Sequence, residues 1–163
     1  MRYHDITKAD MLNGTGIRVV LWVAGCTHHC KDCQNPLTWD PNGGLLFDNN
    51  ARWELIEALK EDYISGITFS GGDPLHPENR CAILQLISDI RENFGDTKTI
   101  WLYTGYKYEE VKYLVRNVDV VVDGEFISEL ADKQYHWAGS TNQRVIDVKK
   151  TIEKGDVVLY ANS

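Results

Sequence analysis

The chain is short of positive charge. It sets only 17 Lys and Arg against 24 Asp and Glu, a formal net charge of −7 over 163 residues. Sequence-independent nucleic-acid binding needs a basic footprint that neutralises phosphates, and an anionic membrane surface attracts the same residues. The acidic balance argues against both as partners. Long apolar runs are also missing. The longest, Val19 to Gly25, falls far below the roughly 20 residues of a membrane span. The first 16 residues are polar, so no export signal is predicted and the expected location is the cytoplasm. There is no internal repeat, low-complexity tract or linker. With a length in the single-domain range, one domain over residues 1–163 is expected. Hydrophobic residues make up 43%, enough for a core that needs no disulfide staples.

Cysteines are few but clustered. Cys26, Cys30 and Cys33 lie within eight residues, and Cys81 stands alone. In a reducing compartment such a cluster reads as a metal or redox site rather than a disulfide framework. Three soft thiolates on one short loop can wrap a cluster, each reaching a different metal. A cubane has four irons, so three local cysteines leave one iron open to a substrate. A structural zinc site needs four closed ligands and would have to recruit His28, His29 or Cys81. Spacing alone leaves open an iron–sulfur cluster with an open iron, a zinc site, or unligated thiols. His28 and His29 read as solvent-facing loop polarity, and Cys81 as a small half-buried apolar residue.

The periodicity alternates strand and helix. Ile17 to Ala24 is a β-branched apolar run that predicts a buried strand. Residues 26–48 form a long loop, and loops of that length inside compact domains are usually functional. A helix is predicted over 51–62, with Trp53, Ile56 and Leu59 on one stripe and Asn50 as N-cap. Strands follow at 66–70, 99–103 and 118–122, with helices over 77–94 and 107–116 between them. Residues 125–142 show no period, and closing strands are predicted at 144–148 and 156–160. Continuous apolar strands separated by helices argue for a largely parallel sheet. A complete (β/α)8 barrel takes about 250 residues, so the expected fold is α/β: a partial, incomplete (β/α) barrel with a largely parallel curved sheet. Ligands then bind at loops beyond the carboxyl ends of the strands. Three chemical-looking segments fall there: the cysteine loop, Gly71-Gly72-Asp73-Pro74, and Tyr103-Thr104-Gly105-Tyr106.

This ordered set resembles the radical S-adenosylmethionine (SAM) superfamily. Within it, the chain is most similar to the family of activating proteins of the anaerobic (class III) ribonucleotide reductase. The resembling segments are Asn13-Gly14-x-Gly16-x-Arg18, Gly25-Cys26 to Cys33, Thr38-Trp39, Ser70 to Leu75, and Trp101-x-Tyr103 to Tyr106. Val120-x-x-Asp123-Gly124 and Gly139-Ser140-x-Asn142-Gln143-Arg144 complete them. Two positions depart from the pattern: Asp32 stands where the superfamily often has an aromatic, and Ala138 where the family often has Arg.

The resemblance implies a fold of radical SAM type and an activating enzyme, an oxidoreductase. Cys26, Cys30 and Cys33 would bind a [4Fe–4S] cluster whose open iron takes SAM. The cleaved SAM would yield a 5′-deoxyadenosyl radical that installs a glycyl radical on the anaerobic ribonucleotide reductase. Gly71, Gly72 and Asp73 would bind the methionine ammonium group of SAM. Thr104, Tyr106 and Asp123, at or just past later strand ends, are candidates to hydrogen-bond its ribose or adenine or to shape the partner opening, with a cation at Asp123 as the alternative. Asn142, Gln143 and Arg144 form a polar cluster without helical or strand logic that would contact the SAM carboxylate or the partner. No catalytic side chain is implied beyond the cluster and SAM, and a flavodoxin-type electron donor is the family expectation. The alternatives are an activase of a different glycyl radical enzyme and a non-enzymatic, zinc-stabilised binding module.

Overall fold

The structure is a computed structural model that describes residues 1–161; the last two positions of the predicted 1–163 span lie outside the described residues. Strand β1 (Arg2–Asp10) is followed by β2 (Ile17–Val23), the cysteine loop with a short 3-10 turn (Pro36–Thr38), and β3 (Leu45–Leu46). Then come α1 (Asn49–Leu59), β4 (Ile64–Gly71), α2 (Arg80–Phe94), β5 (Thr99–Tyr103), α3 (Tyr108–Val111) and β6 (Val120–Asp123). A second 3-10 turn (Ser128–Leu130), β7 (Arg144–Asp147) and α4 (Val148–Lys154) complete the chain.

The strands form one mixed sheet of seven, in the order β3-β1-β2-β4-β5-β6-β7. Its middle, β2-β4-β5-β6, is parallel, as the continuous apolar strands predict. Both margins are antiparallel: β1 on β2, β3 on β1, and β7 on β6. Among the described residues no helix is long and apolar enough to cross a membrane.

Alternation along the strands divides the sheet into two faces. Val19, Leu21, Val23, Ile67, Phe69, Ile100, Leu102, Val121 and Ile146 face one way. They pack against Leu55, Ile56 and Leu59 of α1, Ile83, Leu86, Ile87 and Ile90 of α2, Tyr108 and Val111 of α3, and Val148 of α4. The opposite face carries Trp101, Val120, Val122 and Val145, with Tyr103, Trp137, Ala138 and Tyr160 packed on them. The fully buried Arg18 lies on this second face. Its guanidinium donates to the hydroxyls of Thr68 and Thr99 and to the carbonyls of Thr15, Ile67 and Thr99 at 2.7–3.0 Å. Burial without a hydrogen-bonded carboxylate brings its pKa down to about 10.

Several local expectations need correction. Strand β1 carries no apolar alternation, since only Ile6 along it is buried; its ladder with β2, not its side-chain pattern, makes it a strand. Helix α1 is capped by Asp48, which accepts from the Ala51 amide at 2.9 Å, rather than by Asn50. Trp53 is 65% exposed and lies off the buried stripe, which is Ala51, Leu55, Ile56 and Leu59. The helix predicted from Pro77 begins at Arg80. The helix predicted over 107–116 stops at Val111, after which the chain runs through turns to β6. The predicted closing strand at 156–160 contributes one isolated bridge, Ile146 to Leu159. Helix α4 was not predicted; Asp147 caps it by accepting from Lys150 N at 3.0 Å.

Candidate functional site

The loops that follow β2, β4, β5 and β6 meet at the carboxyl end of the parallel strands. Backbone hydrogen bonds join them. The Gly72 amide donates to Val23 O at 2.8 Å and the Asp73 amide to Gly25 O at 2.7 Å, tying the turn after β4 to the start of the cysteine loop. Gly25 N and Cys26 N in turn donate to Thr38 O and Trp39 O, which folds the loop back on itself. Thr104 N donates to Val122 O at 2.9 Å, joining the β5 and β6 ends. Gly71 has φ +103°, and a side chain there would place its Cβ 2.5 Å from Val23 N. Only glycine lets these two strand ends approach so closely.

All three clustered cysteines line one cavity of about 160 Å³, whose wall also includes Gly71, Gly72, Asp73 and Thr104. An adjoining cavity of about 420 Å³ shares Cys30, Cys33, Gly71, Tyr103, Phe126 and Gln143 with it. The combined cleft is in the size range of small-molecule sites. The cysteines are free thiols of intermediate burial. Desolvation raises the pKa of Cys26 to about 11 and raises that of Cys30, so both are neutral thiols in the free protein at neutral pH.

Backbone amides address each sulfur. Those of His28 and His29 serve Cys26, that of Phe126 serves Cys30, and Asn35 N lies 3.4 Å from Cys33 Sγ. Left-handed residues at His29 (φ +48°) and Asp32 (φ +59°) bend the loop between the cysteines. Amide donors around thiolates stabilise the negative charge of a bound iron–sulfur cluster and tune its potential. Among the described residues no three His, Cys, Asp or Glu groups converge on one point as a single metal ion requires. Three thiols lining one cavity, with N–H donors at the sulfurs, fit a cluster that takes one thiolate per iron. Trp39, on the same wall, has a buried indole N–H without a protein acceptor.

Asp73 is the hub of this end. It is 2% exposed. Its carboxylate accepts from Leu75 N at 2.8 Å, from Thr104 Oγ1 at 2.9 and 3.0 Å, and from Gly105 N at 3.0 Å. His28 Nε2 approaches it at 2.7 Å, and His28 Nδ1 lies 3.0 Å from Glu125. The His28 side chain is 9% exposed, which corrects its reading as solvent-facing polarity. The hydrogen bond to Asp73, joined by that to Glu125, raises the histidine pKa above its usual value despite burial. His29 stacks on Trp39 at 4.5 Å between ring centroids. Cys81 is exposed rather than half-buried and is remote from the cleft walls.

The structure brings together Cys26, Cys30, Cys33, Gly71, Gly72, Asp73 and Thr104. It leaves Asp123, Asn142 and Arg144 off the walls of both cavities. Asp123 is fully buried and accepts from Tyr108 N at 2.7 Å and from the Arg144 guanidinium, which also pairs with Glu109 at 2.8 Å. Those two carboxylates raise the pKa of Arg144 further and hold that of Glu109 below its usual value. Asn142 Nδ2 donates to Glu125 O at 2.8 Å, so it shapes the β6 loop from behind. Of the predicted cluster Asn142-Gln143-Arg144, Gln143 reaches the walls, which also contain Tyr103, Glu125 and Phe126. Of these, Glu125 and Phe126 carried no sequence signal, because they fall in a stretch without period.

Comparisons with known proteins identify the family. Residues 12–146 match the family described as a 4Fe-4S single cluster domain. The chain is 46% identical over 147 residues to the anaerobic ribonucleoside-triphosphate reductase-activating protein of Enterobacteria phage T4, covering 89% of this chain and 93% of the relative. It is 41% identical over 149 residues to the protein of that name from Haemophilus influenzae, covering 88% and 96%. Against that of Escherichia coli K12 it is 41% identical over 151 residues, covering 89% and 97%. The chain belongs to the family of anaerobic ribonucleoside-triphosphate reductase-activating proteins. The expected family, and with it the reading as an activating enzyme with an iron–sulfur domain, is borne out.

Proposed function

Starting from that membership, we propose that the chain is one radical SAM domain that activates the anaerobic ribonucleotide reductase by installing a glycyl radical. The observation that carries this reading is the single cleft in which Cys26, Cys30 and Cys33 face Gly71, Gly72 and Asp73. Cys26, Cys30 and Cys33 would hold a [4Fe–4S] cluster, and the cavity they share adjoins the larger one, which would take SAM. When bound there, the cluster would supply the single electron that reductively cleaves the sulfonium C–S bond of SAM, the source of the radical that would take a hydrogen atom from the partner's glycine.

The chain's own residues bind, orient and exclude water. The backbone of Gly71 and Gly72 offers carbonyls to the methionine ammonium group. Asp73 places negative charge behind that turn, and Thr104 holds its carboxylate in place through two contacts. Asp123, Asn142 and Arg144 act at one remove, by bracing the β6 loop that forms the opposite wall. Beyond the cleft, a groove of about 710 Å³ bordered by Met11, Leu12 and Trp137 leads inward past Tyr103 and provides an entrance for a polypeptide substrate. The partial-barrel reading supports that entrance, since an incomplete barrel leaves a wide mouth. A flavodoxin-type protein in the cytoplasm supplies the electron.

The test is anaerobic. Reconstituted protein, SAM and a low-potential reductant are mixed with the reductase, and electron paramagnetic resonance looks for a glycyl radical. A radical on the reductase, with 5′-deoxyadenosine formed, is the expected result. SAM cleavage with no radical on this reductase would instead favour a different glycyl radical enzyme as target.

A further inference from the structure

No ligand role uses His28, and yet three other loops converge on it. It sits between Cys26 and Cys30 on the cysteine loop. Its Nε2 lies 2.7 Å from Asp73 after β4, and its Nδ1 lies 3.0 Å from Glu125 after β6. Its ring meets Tyr106, after β5, edge-on at 4.7 Å between centroids. The seat is built to its shape: a Cβ added at Gly105 would lie 2.5 Å from His28 Cδ2. Both ring nitrogens thus lie within hydrogen-bond distance of a carboxylate, one on each of two different loops. Of the three parallel-strand ends that face the cysteine loop, His28 therefore touches all three.

We propose that His28 is a positioning residue: it clasps the cysteine loop onto the loops after β4, β5 and β6, and so sets the cluster thiolates at a fixed distance from the Gly71-Gly72-Asp73 turn. This inference rests on the cluster-and-SAM reading for its consequence, but the clasp itself is a property of the protein alone. The physical ground is loop entropy. The loop between β2 and β3 is long, and without the clasp its segment from Cys26 to Cys30 is held to the other strand ends only at its two ends, by the Asp73 amide on Gly25 O and the Phe126 amide on the Cys30 sulfur. Three cysteines would still capture a cluster, but the cluster would not sit at one distance from the turn that holds SAM. Misplacement of about 1 Å between reacting groups is enough to cost a reaction heavily.

The test compares wild type, His28→Ala and His28→Gln as full chains. A glutamine amide can still donate to Asp73, so it restores one of the two contacts. Iron content is measured first, and then the change that SAM causes in the paramagnetic resonance spectrum of the reduced cluster. His28→Ala is expected to keep the wild-type iron content and to need about tenfold more SAM for the spectral change, the factor that corresponds to one lost charge-assisted hydrogen bond. His28→Gln is expected to recover to within about threefold, a partial retention of that bond.

A His28→Ala protein that responds at the wild-type SAM concentration would overturn the proposal, as would a His28→Gln protein no better than the alanine variant. Amide hydrogen exchange of the cluster-free proteins decides the matter independently of SAM. Faster exchange in both residues 24–34 and 104–108 of His28→Ala, with helix α2 unchanged, supports the clasp; unchanged exchange at 104–108 overturns it. A wild-type cluster indifferent to SAM, together with the expected exchange pattern, would count against the SAM reading and leave the clasp standing.

Discussion

On the face of the sheet covered by α1 to α4, the inward residues of the three central strands are apolar: Val19, Leu21 and Val23 on β2, Ile67 and Phe69 on β4, Ile100 and Leu102 on β5. On the opposite face the same strands present Arg18, Val20 and Trp22, then Thr68 and Ser70, then Trp101 and Tyr103. The first face is a hydrophobic core in the ordinary sense and has no chemistry to perform. The second is part core and part cavity, closed by Arg18 and Trp101 toward its amino end and open to the cysteine cleft at its carboxyl end, where Ser70 and Tyr103 line the wall. Stability is concentrated on one side of the sheet and function on the other, at the ends of the same strands.

That contrast is tested first where its effect is largest. Replacing any one of Cys26, Cys30 or Cys33 by Ala is expected to reduce SAM cleavage to the detection limit. The melting temperature of the cluster-free protein should stay near wild type, because half-buried loop positions change stability by only about 0.5 kcal/mol. Turnover that persists in all three variants would remove the cluster from the reaction. Conversely, Ile90→Ala on α2 is expected to destabilise the protein by about 2–5 kcal/mol in denaturant unfolding. SAM cleavage per folded molecule should be unchanged. A loss of turnover as large as that of the cysteine variants would show that the two faces are not separable.

Arg18 sharpens the boundary. It is a buried cation that joins β2, β4 and β5 through five neutral acceptors, on the functional face but beneath the cleft. Arg18→Met removes the charge but strands those carbonyls and hydroxyls, and a cost of about 1–3 kcal/mol is expected. Chemical denaturation measures it, and a variant as stable as wild type would mean that water or a rearranged loop replaces the guanidinium.

The smallest effect belongs to the helical side. Arg52 of α1 donates to Asp89 of α2 at 2.8 Å, and this hydrogen bond lowers the Asp89 pKa. A carboxylate with a depressed folded pKa stabilises the protein above its unfolded pKa, about 3.9, and that stabilisation is lost as pH falls through the lower folded value. Arg52 is 45% exposed, so solvent screens the pair and its contribution is about 0–1 kcal/mol. Arg52→Ala should therefore cost little at pH 7, with the difference from wild type vanishing in acid. A difference that grows toward low pH would reverse the sign of this assignment.

The sequence made the two faces legible to different degrees. The helical face is written in periodicity: Ile83, Leu86, Ile87 and Ile90 repeat at helical spacing, and the apolar runs of β2, β5 and β6 announce strands buried on both sides. The cysteine loop and the glycine turn were legible from residue type and order. What could not be read was whatever depends on pairing across distance. Strand β1 is held by its ladder to β2 and has one buried residue, so no pattern marks it. The partners of His28 lie 45 and 97 residues away, and a histidine amid loop polarity gives no sign of them. Asp123, just past a strand end, and Arg144, in a polar cluster without period, give no sign in the sequence of the pair they form with each other.

The most direct test of the central claim is the iron, acid-labile sulfide and zinc content of anaerobically purified protein. A cubane held by three cysteines predicts about four irons and four sulfides per chain with negligible zinc. About one zinc and no sulfide would contradict it, and would turn the cysteine loop into a structural staple and the glycine turn beside it into a simple strand-to-helix connection.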